Sequence, residues 1–460
     1  MFGSFRKISL SIRQRLCNSL ALPFSELLEI SELDKLVKNS GVKFYHRIYT
    51  PLVTVLVFIA QVLDSDRSCR KAVSRLVDLA ASSSSEGQKL SQNTAAYCKA
   101  RSRLPLSLIW NLIHWSERRI DAQIKQEDLW LRRHKVWVVD GSSCQTPDTE
   151  ANREAFGLPS GVKLGCGFPV LPFVGMFSLI TGLFKSLRFG KKGGHERHLF
   201  RELMVEFSPG DVIVGDRGFC SFADICLLKQ RDVECVLRIF NRKPDYQTGE
   251  RLGKRDHIVE WTKPKVQPAG MSAEEYASLP EKLRVREVRV VVEQKGFRSK
   301  TLDIVTTLFD VKIYTKEAIA SLYRRRWSIE LNFRHIKTTL GMELLSTKTP
   351  EMTHKEVLIF MLAYNLIRSL IWAAKQTYRI DIERISFKGT LQHLATASPY
   401  LAIADPSEYS SRYEKLIESV SNERLPDRPD RVEPRVVKRR PKKFSLMTQP
   451  RSVLKAKLAA

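Results

Sequence analysis

Three carboxylates in this chain stand where metal-assisted phosphoryl chemistry could use them. Asp140 ends the β-branched run KVWVVD and precedes GSS, and Asp216 ends DVIVGD and precedes RGF. An Asp at a strand end before a glycine turn projects into the crevice where α/β folds bind ligands. The alternative for either residue alone is an ordinary turn or capping aspartate.

The third carboxylate, Glu330, lies in the segment SLYRRRWSIELNFRHIKTTL, which has the spacing of a helix. At roughly 100° per residue, Tyr323, Arg326, Glu330 and Lys337 fall within an arc of about 60°. An apolar stripe runs directly beside them; it consists of Leu322, Ile329, Phe333, Ile336 and Leu340. This pattern predicts that Glu330 lies at the edge of the buried face. A surface salt bridge between Arg326 and Glu330 is the alternative.

Three carboxylates in one crevice repel each other unless cations neutralise them. Two Mg²⁺ or Mn²⁺ ions about 3.5–4 Å apart do this at a phosphodiester. One ion activates a water or a 3′-hydroxyl, and the other stabilises the leaving oxygen. Arg326 and Lys337 are then suited to hold flanking phosphates, and Tyr323 to donate a hydrogen bond to one. The residue types therefore favour a phosphodiester substrate.

The charge of the chain supports a polyanionic partner. Its 460 residues include 76 Lys and Arg against 50 Asp and Glu, a net charge of +26, which favours nucleic acid. The N-terminus lacks the continuous apolar core of a signal peptide. The apolar runs 52–63, 168–184 and 357–374 are too short or are interrupted by polar, proline or glycine residues, so we interpret them as buried core. We expect a cytoplasmic protein with no membrane partner.

Hydrophobic spacing divides the chain into five segments. They are a mostly helical region at 1–130, a region of strands and helices at 131–240, a β-rich insertion at 241–312, a return to helix at 313–421 and a basic tail at 422–460. The second segment has the order strand, strand, strand, helix, strand, helix, strand, which is typical of an α/β sheet. The tail is rich in proline and basic residues, including Arg439 and Arg440, and we expect it to be extended and to order on an anion.

Basic residues also cluster in the N-terminal region. Lys99, Arg101 and Arg103 lie close together in SQNTAAYCKARSRLPL. Two interpretations remain open, a solvated helix face and a helix that contacts DNA.

Several of these motifs together resemble one known family. Tyr323, Arg326, Glu330 and Lys337 match the signature Y-(2)-R-(3)-E-(6)-K without deviation. The chain therefore resembles the DDE transposases of the insertion-sequence-four family. DGSSCQTPDTEANREAFG resembles the first-Asp block of that family, and VGDRGF resembles the second. NTAAYCKARSRLP and the basic tail resemble blocks in its N-terminal and C-terminal regions.

The resemblance implies an α/β fold with an RNase H-like catalytic core, interrupted by the β-rich insertion before the helix that carries Glu330. It implies that Asp140, Asp216 and Glu330 bind the two metal ions, and that Tyr323, Arg326 and Lys337 contact DNA near the scissile phosphate. The implied partners are the terminal inverted repeats of the protein's own element, target DNA and a second copy of the chain. A bacterial, nucleoid-associated location follows from the same resemblance.

Two alternatives to an active transposase stay open. One is a catalytically silent protein that only occupies the repeats, and the other is a structure-selective nuclease on the same fold. The chain also departs from hairpin-forming relatives, in which a Trp on the strand before the final helix stacks a flipped base. Leu302 stands at about that place here, and Trp261 lies elsewhere in the insertion. Base flipping needs an aromatic or apolar platform.

Overall fold

The structure is a computed structural model. It describes Phe24 and residues 30–41, 44, 48–81, 90–159, 161–191, 194–240, 242–292, 300–402, 406–426 and 447–459. The chain divides into two compact units. Met1–Gln123 and Arg334–Pro426 form the first, here called the helical unit, and Ile124–Phe333 and Asp427–Ala460 form the second, here called the sheet unit.

The helical unit is built around one long apolar helix. Its described helices are α1 (Ile30–Asn39), α2 (Pro51–Leu63), α3 (Cys69–Ala81), α4 (Ala95–Arg103), α5 (Leu106–Asp121), α12 (Pro350–Tyr378), α13 (Phe387–Ala402) and α14 (Pro406–Asn422). Helix α12 is long and apolar enough to cross a membrane, but 94% of its 18-residue apolar stretch is buried inside the protein. The prediction that 357–374 is buried core is therefore confirmed.

A buried histidine gives the helical unit a pH-dependent stability. His335 stacks on Phe387 with ring centroids 4.6 Å apart. Burial, together with the guanidiniums of Arg368 and Arg334, lowers the pKa of His335 to about 4. The unfolded chain takes up this proton near the ordinary pKa of about 6.5. Because the unfolded state binds more protons between these values, stability is lost as the pH falls from about 6.5 to about 4.

We expect this histidine to contribute up to about 3 kcal/mol to that loss. Urea denaturation of wild type and His335→Phe at several pH values measures it. Phenylalanine can keep the stack on Phe387 but cannot take a proton, so the variant should lose less stability in acid. A residual slope is expected from His354, whose pKa burial also lowers. Equal slopes for the two proteins would contradict the prediction.

The sheet unit contains one nine-stranded mixed sheet. Its strands are β1 (Val136–Gln145), β2 (Val170–Ser178), β3 (Phe184–Phe189), β4 (Val212–Gly215), β5 (Glu234–Arg238), β6 (Glu250–Gly253), β7 (Asp256–Thr262), β8 (Lys282–Val292) and β9 (Lys300–Thr306). Their order across the sheet is β3-β2-β1-β4-β5-β9-β8-β7-β6. Strands β1 and β4 are parallel, as are β4 and β5, and the other neighbours are antiparallel.

The predicted order of elements between 131 and 240 is confirmed, with one short helix added. The helices of the sheet unit are α6 (Glu150–Phe156), α7 (Glu196–Leu203), α8 (Phe222–Lys229), α9 (Ala273–Ala277), α10 (Lys316–Arg325), α11 (Ser328–Arg334) and α15 (Arg451–Ala459). The expectation that the first strand ends at Asp140 is wrong. Strand β1 continues to Gln145 because β2 pairs with it along its whole length, so pairing overrides the turn-like sequence GSS.

The strands within 241–312 extend the same sheet. Strand β9 pairs with β5, and β8, β7 and β6 follow outward. On β8, Arg286 is fully buried and makes a bidentate ion pair with Asp256 at 2.8 and 2.6 Å. The same guanidinium donates to the carbonyls of Leu308 and Tyr314, at 3.3 and 2.7 Å. Arg286 therefore ties this region to the start of α10.

The signature segment is not one continuous helix. Helix α10 ends at Arg325, α11 begins at Ser328, and a π-helical turn follows at His335–Thr339. Between the two helices the amides of Arg326, Ile329 and Glu330 bond to carbonyls three residues earlier, a tighter pattern than that of an α-helix. All five residues of the predicted apolar stripe are buried.

Part of the basic tail differs from expectation. We predict an extended tail, but residues 451–459 form α15, whose first amide, on Arg451, donates to the carbonyl of Gly165 at 3.3 Å. This stretch contains neither proline nor glycine and is rich in Leu, Lys and Ala, which favour helix. Arg439 and Arg440 lie outside the described residues.

Candidate active site

The register of the sheet brings Asp140 and Asp216 to neighbouring positions. Strands β1 and β4 run parallel, and their last paired residues are Val139 and Gly215. Asp140 directly follows Val139, and Asp216 directly follows Gly215. Both aspartates therefore lie at the same edge of the β1–β4 strand pair. Gly215 allows close packing here, because a side chain there would press against Leu237. Strand β1 continues past Asp140 in its pairing with β2, but its pairing with β4 ends at Val139.

Glu330 reaches this edge because its helix packs closely on the sheet. Phe333, one turn after Glu330, lies edge-on to Phe177 with ring centroids 5.1 Å apart. The residue paired with Asp140 on β2 is Gly175, and a Cβ atom there would lie only 3.1 Å from the Phe333 ring. Because Gly175 has no side chain, the Phe333 ring can pack beside Asp140.

The buried guanidinium of Arg326 connects two of the carboxylates. Its Nη1 lies 3.9 Å from Oδ2 of Asp140, and its Nη2 donates to Oε1 of Glu330 at 3.4 Å. The Arg326 side chain is only 7% exposed, whereas that of Glu330 is 57% exposed. The prediction that Glu330 lies at the edge of the buried face is therefore wrong, since its side chain is more than half exposed, while Arg326 beside it is buried.

Burial disfavours ionisation of Asp140. Burial raises the pKa of Asp140 to about 6. The amide of Gly141, which donates to Oδ1 at 2.8 Å, and the Arg326 guanidinium lower it, while the charges of Asp216 and Glu196 raise it. Such competition between carboxylates is what a cation relieves.

The donor chemistry fits a hard divalent cation, since Asp140, Asp216 and Glu330 offer only carboxylate oxygens. Within the described part of the chain, however, no three His, Cys, Asp or Glu side chains are spaced to hold a metal ion. Asp140 and Glu330 share one cation, the guanidinium of Arg326.

The other signature residues occupy different environments. Tyr323 is 1% exposed, and burial raises the pKa of its hydroxyl. The Arg326 guanidinium lies 5.8 Å from the Tyr323 ring and 5.3 Å from that of Trp327. Lys337 is partly buried in the π-helical turn, which belongs to the helical unit.

The three basic residues of α4 separate into two groups. Lys99 and Arg103 are exposed and one helical turn apart. Arg101 is 7% exposed; it bonds to Gln61 at 3.3 Å and lies over the Phe58 ring at 4.8 Å. The placement of Arg101 therefore indicates a packing role inside the helical unit, and contact of this helix with DNA stays a prediction.

The structure adds residues at this edge that our sequence reasoning missed. Glu196, at the start of α7, lies so close to Gly141 that a Cβ atom there would be 2.3 Å from its Oε1. Phe240, just after β5, is 41% exposed, with the guanidiniums of Arg197 and Arg217 near its ring at 5.9 and 5.8 Å. No motif marks Glu196, Arg197 or Phe240, whereas Arg217 lies in VGDRGF directly after Asp216.

Neither Leu302 nor Trp261 is available as a platform for a base. Leu302 is 5% exposed and Trp261 is 7% exposed. The indole nitrogen of Trp261 donates to buried Glu287 at 2.7 Å, so the ring is held inside the sheet unit.

Carboxylates at the carboxyl edge of parallel strands, beside a buried cation, define a candidate phosphodiester-processing site.

Comparison with known proteins identifies the class of enzyme. The family model of the transposase DDE domain matches residues 132–366. The chain is 26% identical over 332 residues to the transposase InsG for insertion sequence element IS4 of Escherichia coli, covering 70% of this chain and 73% of that protein. It is 25% identical over 218 residues to a putative transposase for insertion sequence element IS4SA of Synechocystis, covering 46% and 57%.

A solved structure of piggyBac transposase in a synaptic complex with hairpin DNA has a TM-score of 0.40 and 10% identity, covering 90% of this chain and 86% of that one. On the match of the family model, the chain belongs to the DDE transposases. It is accordingly a DNA transposase, an enzyme that cleaves DNA and transfers strands.

Proposed function

We propose that this transposase cleaves DNA at the terminal inverted repeats of its own insertion sequence and joins the freed ends to target DNA. Asp140, Asp216 and Glu330 hold two Mg²⁺ or Mn²⁺ ions in this reaction. The observation that carries the proposal is the register that sets Asp140 beside Asp216, with Arg326 linking Asp140 to Glu330.

The proposal includes an RNase H-like core formed by β1 to β5. Its support is the strand order β3-β2-β1-β4-β5, in which an antiparallel meander continues into two parallel strands. The β-rich insertion at 241–312 then separates β5 from the helix of Glu330. The remaining proposed divisions are an end-binding region at 1–130, core completion at 313–421 and the basic tail at 422–460.

Each side chain of this site has a separate role in the proposed reaction. When bound, the metal ions activate the attacking oxygen and stabilise the leaving oxygen. Asp140 and Asp216, fixed on adjacent strands, hold their oxygens in a set position, and Glu330 approaches on α11 from the solvent side. Arg326 and Lys337 supply positive charge for phosphates of the bound strand, and the hydroxyl of Tyr323 donates a hydrogen bond to one of them.

Further DNA contacts follow from exposed basic and aromatic side chains. Lys99 and Arg103 present charge on one face of α4, and Arg439 and Arg440 add charge in the tail. Phe240 between Arg197 and Arg217 combines an aromatic surface with guanidiniums, a combination that binding sites for single strands use. Because two ends must be cut together, we propose a homodimer in the DNA complex, acting in the bacterial cytoplasm at the nucleoid.

A metal-dependence assay tests this function. Wild-type protein is incubated with DNA that carries the element's ends and with a target plasmid, in Mg²⁺, Mn²⁺ or EDTA. We expect nicked ends and joined products only with a divalent metal. Binding to the ends without cutting under every metal would favour the catalytically silent alternative. Cutting of branched or mismatched DNA without preference for the ends would favour the nuclease alternative.

A further inference from the structure

Arg326 is unusually placed for a residue that binds DNA phosphate. Its side chain is 7% exposed, and its Nε is buried with no hydrogen-bond partner among the described residues. The two terminal nitrogens point to different members of the catalytic triad, Asp140 at 3.9 Å and Glu330 at 3.4 Å. On its remaining sides the guanidinium faces the rings of Tyr323 and Trp327. In this state the guanidinium is directed at carboxylates and not at solvent.

This placement bears on how Asp140 and Glu330 can bind a metal ion. Carboxylates near one another need a cation, and a guanidinium can supply it to two of them at once because its nitrogens form a flat fork. With Arg326 between them, Asp140 and Glu330 approach its nitrogens instead of a common centre. Among the described residues no metal-spaced cluster forms. A metal ion and the guanidinium therefore require the same oxygens.

We propose that Arg326 is the internal counter-ion of the triad and competes with the divalent metal for Asp140 and Glu330. This inference rests on the proposed function, because it concerns the same metal site. Metal entry displaces the guanidinium from both carboxylates, and the displaced charge becomes free to bind a DNA phosphate. Metal loading and DNA binding then support each other, since each removes Arg326 from the carboxylates.

The tight turn between α10 and α11 makes this displacement structurally feasible. Arg326 lies at the junction where the amides bond three residues back, and α10 ends one residue before it. A change of side-chain rotamer, or a small shift at this junction, moves the guanidinium while Phe333 keeps α11 on the sheet through its contact with Phe177.

The test measures Mn²⁺ binding to metal-stripped full-length protein without DNA, by calorimetry and by the electron paramagnetic resonance of free Mn²⁺. We expect Arg326→Gln to bind Mn²⁺ about fivefold to tenfold more tightly than wild type, since a neighbouring cation shifts carboxylate affinity for a proton by about one to three pKa units and Glu330 is partly screened by solvent. Arg326→Lys, which cannot bridge two carboxylates, should lie between the two.

Arg325→Gln is the matched control. It removes the same charge one residue earlier, where Nη2 of Arg325 donates to the carbonyl of Leu179 at 3.1 Å, and it should leave Mn²⁺ affinity within twofold of wild type. Equal Mn²⁺ affinity in wild type, Arg326→Gln and Arg326→Lys would overturn the proposal that Arg326 competes with the metal. It would not contradict the proposed metal ligands. If no protein in the series binds Mn²⁺, both the competition and the proposed metal ligands fail. DNA cleavage by wild type, measured separately, reports on the proposed function alone.

Discussion

Alanine at Asp140, Asp216 or Glu330 is expected to reduce DNA cleavage and strand transfer by at least about a thousandfold. Each substitution removes a carboxylate that we propose as a metal ligand. A bound metal ion contributes several kcal/mol to the stabilisation of the transition state, and about 1.4 kcal/mol corresponds to tenfold in rate. The measurement is a time course of nicking and joining with end DNA and Mg²⁺ for the wild type and the three variants.

End binding separates loss of chemistry from loss of folding. Each variant should bind end DNA at least as well as wild type, because removing a negative charge does not weaken attraction to phosphate. Glu150→Ala is the control, since it removes an exposed carboxylate of the sheet unit from α6 and should cut normally. A variant that binds the ends and still cuts at more than a tenth of the wild-type rate would remove its residue from the proposed triad.

The second large effect concerns stability. Arg286→Met should lower the free energy of unfolding of the sheet unit by about 3–5 kcal/mol. The substitution leaves Asp256 buried and unpaired, and it removes the donors to the carbonyls of Leu308 and Tyr314. Because the Tyr314 carbonyl lies just before α10, the helix that leads to Arg326 should also become less well ordered. Urea denaturation followed by tryptophan fluorescence measures the change.

Arg284→Met provides a close comparison on the same strand. Arg284 lies two residues before Arg286 and pairs with Glu250 at 2.7 Å, but these side chains are 56% and 60% exposed. Exposed pairs contribute about 0–1 kcal/mol, so this variant should unfold almost like wild type. A loss for Arg286→Met no larger than that for Arg284→Met would show that the buried pair does not stabilise the unit.

Much of the fold can be predicted from local patterns. The alternation of β-branched and helical spacing predicts the order of elements from β1 to β5, and the apolar run at 357–374 predicts the buried part of α12. Element ends were less predictable. Strand β1 continues through Gly141 because β2 supplies its hydrogen bonds. This partner is distant in sequence, so no local pattern reveals it.

The sequence proposes the members of the candidate site, and the structure adds their geometry. Asp140, Asp216 and Glu330 stand out by residue type, position and signature spacing. The helical arc does not give the exposed fractions, which are 7% for the Arg326 side chain and 57% for that of Glu330. Glu196 and Phe240 carry no motif and are recognised only through their neighbours in space.

The sequence by itself determined the chemistry that this protein can perform, because residue types and charges are local properties. Its basic excess, its acidic triad and its family signature are all readable without coordinates. Only the tertiary structure decided which groups touch, because contacts such as Arg326 with Asp140 and Phe333 over Gly175 join distant parts of the chain. Such contacts arise from strand register and helix packing, which depend on the whole sheet unit rather than on any single segment.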